Sequence, residues 1–136
     1  MVKIDIVYEG GLHCRLTHGP SGSVIATDAP KDNMGKGEAF SPTDLEASAL
    51  GSCMMTIMGI YAQRHDIDLT GARAEVIKEM IQKPVRKIGK LSVAFKMPKG
   101  IAAKHRPALE RTVFACPVHK SIHPDIETPV SFNYPD

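Results

Sequence analysis

Residues 41–65 read "SPTDLEASALGSCMMTIMGIYAQRH". Ser41 is placed to cap a helix, Pro42 suits its first position, and Asp44, three residues after the cap, completes a capping box with an acid near the positive end of the helix dipole. Behind that start, apolar or small residues fall on every face for about five turns at ~3.6 residues per turn. The pattern predicts a long central helix buried on all sides. Its length is roughly 38 Å at ~1.5 Å per residue, more than a chain of 136 residues can cover by itself. Part of the helix is therefore expected to meet a second copy of the chain. The interruptions by Ser, Thr and Gly argue against a membrane span.

Upstream, the periodicity changes from helical to two. Residues 2–8, "VKIDIVY", alternate as a strand, and Glu9, Gly10 and Gly11 supply turn chemistry before a second strand at 12–18, "LHCRLTH". There the alternation sets Leu12, Cys14 and Leu16 on one face and His13, Arg15 and Thr17 on the other, which makes Cys14 a structural thiol. After the turn "HGPSGS", residues 24–30, "VIATDAP", form a third strand, so the economical reading is a three-stranded antiparallel meander. Residues 31–40, "KDNMGKGEAF", read as a loop.

Downstream, "IDLTGARAEVIKEMI" (67–81) and "RKIGKLSVAFKMP" (86–98) predict two more strands, and residues 102–114 a helix. Pro117 opens a short helix, "PVHKSIH", that Pro124 stops, and "ETPVSFNY" (127–134) closes with a strand. The expected fold is α+β in the order βββ–α–ββ–αα–β: an N-terminal three-stranded antiparallel sheet, a long central helix, two further strands, two helices and a final strand. The length fits one domain, residues 1–136.

Seventeen basic and fifteen acidic residues, scattered along the chain, leave a net charge of +2 and no basic run, so nucleic acid is not the expected partner. The N-terminus alternates and has no apolar run before a small-residue cleavage site, which leads to the expectation of a cytoplasmic protein with no membrane partner. A reducing cytosol keeps thiols free, and three cysteines cannot all pair. A cysteine with a role here is a redox nucleophile or a metal ligand rather than a staple.

Cys53 stands mid-helix in "ALGSCMMT", where a small core residue is the plain alternative to a functional thiol. Cys116 precedes Pro117 at a helix start, a setting that lowers a thiol's pKa through the dipole and free N–H groups; a buried cap-like cysteine is the alternative. His119 and His123, four residues apart on a helix, could join Cys116 around a metal ion, though no fourth ligand stands nearby in sequence. Otherwise the two histidines are polar side chains on the outside of a short helix.

"FSPTDLEASALGSCMMTIMGIYAQRHDIDLTG" (40–71) together with "RTVFACPVHKSIHPDIETPVSF" (111–132) closely resembles the OsmC/Ohr family of thiol-dependent hydroperoxide reductases. The shared features are the Ser-Pro helix start, the cysteine within "ALGSC", the Ile-Asp-Leu-Thr-Gly entry to the next strand and the second cysteine in "ACPVHKSIHP"; with the strand order they span nearly the whole chain. The resemblance implies an interlocked homodimer, with Cys53 as the peroxidatic cysteine and Cys116 as the resolving one. It also implies a thiolate-stabilising arginine from the partner's N-terminal sheet, a role that falls on Arg15. The family glutamate near the start of the central helix has no exact counterpart: Thr43 and Asp44 stand there, with Glu46 slightly beyond. The implied activity is reduction of hydroperoxides, organic ones favoured by the methionines around Cys53, in oxidative-stress defence. It calls on a dithiol reductant, lipoyl-type or a small thiol, and on no cofactor or metal. A non-enzymatic sensor or small-molecule binder on the same fold, and a metal-binding module through Cys116, His119 and His123, are the rival readings.

Overall fold

The computed structural model describes residues 1–135. They form two compact units, residues 1–46 and those from Ala47 onward.

The first unit is an antiparallel meander of β1 (Ile4–Gly10), β2 (His13–His18) and β3 (Val24–Asp28). Its register places Tyr8 and Thr27 across from Cys14, Ile6 and Ile25 across from Leu16, and Val7 and Ala26 across from Arg15. Since directly paired residues share a face, Cys14 and Leu16 lie with Ile6, Tyr8 and Ile25, while Arg15 lies on the opposite side. The expected alternation is therefore present from His13 onward. Leu12 departs from it, because it belongs to the β1–β2 turn at a left-handed φ of 60°, where Tyr8 Oη accepts its N–H at 3.3 Å. Ile4, Ile6, Tyr8 and Ile25 remain exposed. At the start of β2, His13 Nδ1 pairs with the buried Asp28 carboxylate, whose Oδ2 also accepts the Glu38 N–H at 2.9 Å. The His13 hydrogen bond above all holds the Asp28 carboxyl below the usual carboxylate range.

Helix α1 (Pro42–Arg64) opens with the expected capping box: Asp44 N–H donates to Ser41 Oγ at 3.0 Å and Ser41 N–H to Asp44 Oδ2 at 2.9 Å. A cap of this kind stabilises a helix by about 1 kcal/mol. The helix ends where Asp66 turns left-handed at a φ of 54° and Ile67 N–H returns to the Ala62 carbonyl at 2.9 Å.

The second unit is a sheet in the order β4 (Arg73–Ile81), β5 (Lys87–Lys96), β6 (Val130–Asn133), with β4–β5 antiparallel and β5–β6 parallel. A parallel pair cannot be joined by a tight turn and needs a long crossover. Here the crossover carries α2 (Arg106–Thr112) and α3 (Pro117–Ser121). The helix expected over 102–114 is present as a short 3-10 turn, α2 and a second 3-10 turn.

Leu91, Val93 and Phe95, alternate residues along β5, and Met97 just past its end are buried in one core with Leu50, Met54 and Met58 of α1 and Leu109, Val113 and Cys116 of the crossover. Each such side chain contributes roughly 1.5–3 kcal/mol by leaving water. Within one chain α1 is not buried on all sides. Ala47, Leu50, Gly51, Met54, Met58 and Ala62 form a single buried stripe, while Ala49, Ser52, Thr56 and Ile60 are exposed. By length and composition α1 is apolar enough to cross a membrane, but Leu50, Met54 and Met58 are spent entirely in this core.

Candidate active site

Gly51 sets how closely α1 approaches the sheet. It is buried, and a Cβ on it would stand 2.7 Å from Val76 Cγ2 of β4. Two residues on, Cys53 packs half-buried against the core. The crossover brings the second thiol to it: Cys116 is fully buried and caps α3 with its sulfur, which accepts the His119 N–H at 3.3 Å.

Burial first, and then the nearby Cys53, push the Cys116 thiol above its ordinary pKa, outweighing the lowering by the His119 N–H. The expectation that the helix start would favour a Cys116 thiolate is thus overturned. α3 has only five residues, so its dipole is small, and desolvation disfavours the charged form.

Next to the thiols, His119 is half-buried rather than a surface group. Its Nε2 lies 3.1 Å from Thr128 Oγ1 and its ring meets Phe114 edge to face at 5.7 Å. Its Nδ1 is shut off from solvent with no hydrogen-bond partner. The sequence carried one signal for this: His119 is the third residue after the cap, whose N–H a cap side chain takes.

The metal arrangement does not form. α3 stops at Ser121 and Ile122 is extended, so His123 leaves the face that carries His119; the exposed His123 accepts the Asp125 N–H at Nδ1 instead. Among the described residues no group of three His, Cys, Asp or Glu side chains is placed to hold a metal ion.

Arg15 lies in the first unit, mid-β2, half-exposed, with its Nε 3.7 Å from Glu9 Oε2. Cys14 is half-buried on the opposite face of that strand. Of the candidates for the place of the family glutamate, Asp44 serves the cap and Thr43 Oγ1 is 3.2 Å from Ser41 Oγ, which leaves Glu46 half-buried in the second turn of α1. Beside Cys53, Met54 is wholly in the core and Met55 is half-buried.

A family model described as OsmC-like protein matches residues 35–131. The chain belongs to the OsmC-like family. Among solved structures, this OsmC-like chain is 44% identical to a protein from Psychrobacter arcticus 273-4, provisionally assigned as an osmotic stress induced and detoxification response protein; the match has a TM-score of 0.92 and covers 98% of this chain and 96% of that one. The fold is shared with the organic hydroperoxide resistance protein OsmC of Legionella pneumophila, at 17% identity, a TM-score of 0.74 and coverage of 98% and 96%. It is shared also with the organic hydroperoxide resistance protein OhrB of Bacillus subtilis, at 13% identity, a TM-score of 0.71 and 98% of both chains. A search of curated proteins gave no match.

Proposed function

We propose that this OsmC-like protein reduces hydroperoxides, organic ones in preference, with Cys53 as the attacking sulfur and Cys116 as the resolving one. The observation that carries the reading is the asymmetry of the two thiols: Cys116 is fully buried and burial holds its proton, while Cys53 is only half-buried. Of the pair, Cys53 is the sulfur free to act as nucleophile, and a second thiol already in reach is what limits over-oxidation. The Cys53 thiolate takes one oxygen from the peroxide, the O–O bond breaks, and an alcohol leaves with a proton from solvent. The resulting sulfenic acid condenses with Cys116 to a disulfide and water, and an external dithiol, lipoyl-type or a small thiol, returns both cysteines to thiols as it becomes a disulfide itself.

The fold shared with organic hydroperoxide resistance proteins supports the choice of substrate. Arg15 is assigned to stabilising the Cys53 thiolate across a homodimer, whose second copy covers the exposed Ile4, Ile6, Tyr8 and Ile25.

Steady-state consumption of cumene hydroperoxide with dihydrolipoamide, together with mass spectrometry of the oxidised protein, tests the proposal. The expected result is catalytic turnover and a Cys53–Cys116 disulfide. A single oxidation without turnover would indicate a sensor, and no oxidation of Cys53 would overturn the reading.

A further inference from the structure

Thr128 stands where the chain enters β6, between two residues whose carbonyls are bonded to β5: Glu127 accepts the Leu91 N–H at 2.8 Å and Pro129 the Val93 N–H at 2.9 Å. Its backbone is thus pinned to the central strand of the sheet. From this anchor the Thr128 hydroxyl meets the ring of His119, with Oγ1 and Nε2 3.1 Å apart, and Phe114 packs edge to face on the same ring. The backbone N–H of His119 in turn donates to Cys116 Sγ at 3.3 Å. A continuous line of contacts therefore runs from the sheet, through one side chain, to the second sulfur.

The line matters because α3 cannot hold itself. Its five residues fall well below the ~12–15 at which an isolated helix becomes even marginal in water. Val118 packs on the core, but apolar burial is non-directional, whereas a hydrogen bond fixes both distance and angle. The His119 ring is also kept at a cost, since its Nδ1 is shut off from solvent without a partner. A fold that retains such a group draws something from the residue that carries it.

We propose that Thr128 and His119 are positioning residues for Cys116: the hydroxyl holds the imidazole, and through it the His119 backbone N–H, so that the sulfur keeps its place for the resolving step. The inference rests on the peroxidatic reading of Cys53. In that step Cys116 Sγ bonds to the sulfur of the Cys53 sulfenic acid, the S–O bond breaks, and the departing oxygen leaves as water with the thiol proton, giving one disulfide and one water. The imidazole takes no proton; its part is to fix a main-chain donor. That donor also favours the thiolate form of Cys116, the form that attacks.

Stopped-flow oxidation by one equivalent of cumene hydroperoxide separates the two steps, with dimedone trapping reporting Cys53 sulfenic acid and non-reducing mass analysis reporting the disulfide. Thr128→Val removes the hydroxyl with little change of shape. The variant is expected to form sulfenic acid at the wild-type rate and the disulfide roughly 10-fold more slowly, within the range that couplings in one hydrogen-bond network span. Thr128→Ser keeps the hydroxyl and should hold most of the wild-type rate. His119→Leu should lose as much as Thr128→Val, and the double variant should be no slower than either, because both break one contact. His119→Gln, whose amide can still meet Thr128, should retain the rate that His119→Leu loses, so the contact is read from both ends even if one variant does not fold.

An unchanged disulfide rate in Thr128→Val or His119→Leu would overturn the inference alone, as would losses that multiply in the double variant. Equal slowing of sulfenic acid and disulfide formation would also overturn it, since that marks a loosened core rather than one displaced sulfur. A wild-type protein that gives neither sulfenic acid nor disulfide would overturn the peroxidatic reading and this inference together.

Discussion

Cys116 is fully buried in the core against which Cys53 packs half-buried, and burial keeps the Cys116 thiol protonated. The two sulfurs are thereby made chemically unequal, and the inequality has a direction that substitution can read.

Cys53→Ser is expected to abolish peroxide turnover. Cys116→Ser should allow one oxidation and then accumulate sulfenic and over-oxidised Cys53, because no second thiol condenses with it. Cys14→Ala, on the first-unit sheet, should keep turnover close to wild type. Steady-state rates and intact mass after peroxide check all three; wild-type turnover in Cys53→Ser would reject the assignment.

Arg15→Ala is expected to slow peroxide reduction at neutral pH, and Arg15→Lys to restore part of the rate, since an ammonium keeps the charge without the directed pair of guanidinium hydrogen bonds. If the site is shared between copies, exchanging subunits between Arg15→Ala and Cys53→Ser proteins regains activity in the heterodimers. The exposed apolar face of Ile4, Ile6, Tyr8 and Ile25 predicts a dimer in sedimentation at micromolar concentration. A folded monomer, or no complementation after verified exchange, counts against the shared site.

Gly51→Ala adds a methyl group 2.7 Å from Val76 Cγ2, and a β-branched side chain on a strand has little freedom to yield. Better helix propensity returns about 1 kcal/mol against roughly 1–3 kcal/mol for overpacking. The expected net is a loss of about 1 kcal/mol in urea denaturation, with slower disulfide formation because Cys53 follows on the same turn. Adding Val76→Ala should relieve the slowing; a Gly51→Ala protein more stable than wild type would show that the approach of helix to sheet is not limiting.

Tyr134 is pushed from 10.0 up to about 12, by burial first and then by Glu110, whose Oε2 accepts its hydroxyl at 3.2 Å; the Arg106 guanidinium 4.3 Å over its ring acts in the opposite sense. A raised folded-state value means that this phenol's contribution is complete below about pH 10 and lost as pH rises through about 12. Wild-type stability should therefore fall over that range. Tyr134→Phe should lose about 1 kcal/mol at neutral pH with the hydrogen bond and show a shallower alkaline decline. Equal slopes in denaturation at pH 8, 10 and 11 would contradict the linkage.

Local rules were enough for much of this protein. Ser41, Pro42 and Asp44 announced the start of α1 because a capping box is chemistry among neighbours. Alternation and turn residues marked all six strands, since period two and left-handed turns are properties of short stretches. The two cysteine motifs pointed to the family that the comparison established. Other features arise only when distant segments meet. Whether α1 is covered all round depends on what packs against it, and one sheet and one crossover bury a single stripe. The position of Cys116 at a helix start suggested a lowered pKa, but the burial that reverses it is supplied by the whole core. His119 and His123 looked equivalent at a spacing of four. The chain leaves the helix at Ser121, so His123 goes to solvent while Thr128, nine residues beyond His119, turns its ring nitrogen inward. Periodicity is written in neighbouring residues, whereas desolvation and proton placement are set by atoms that only the folded chain brings together.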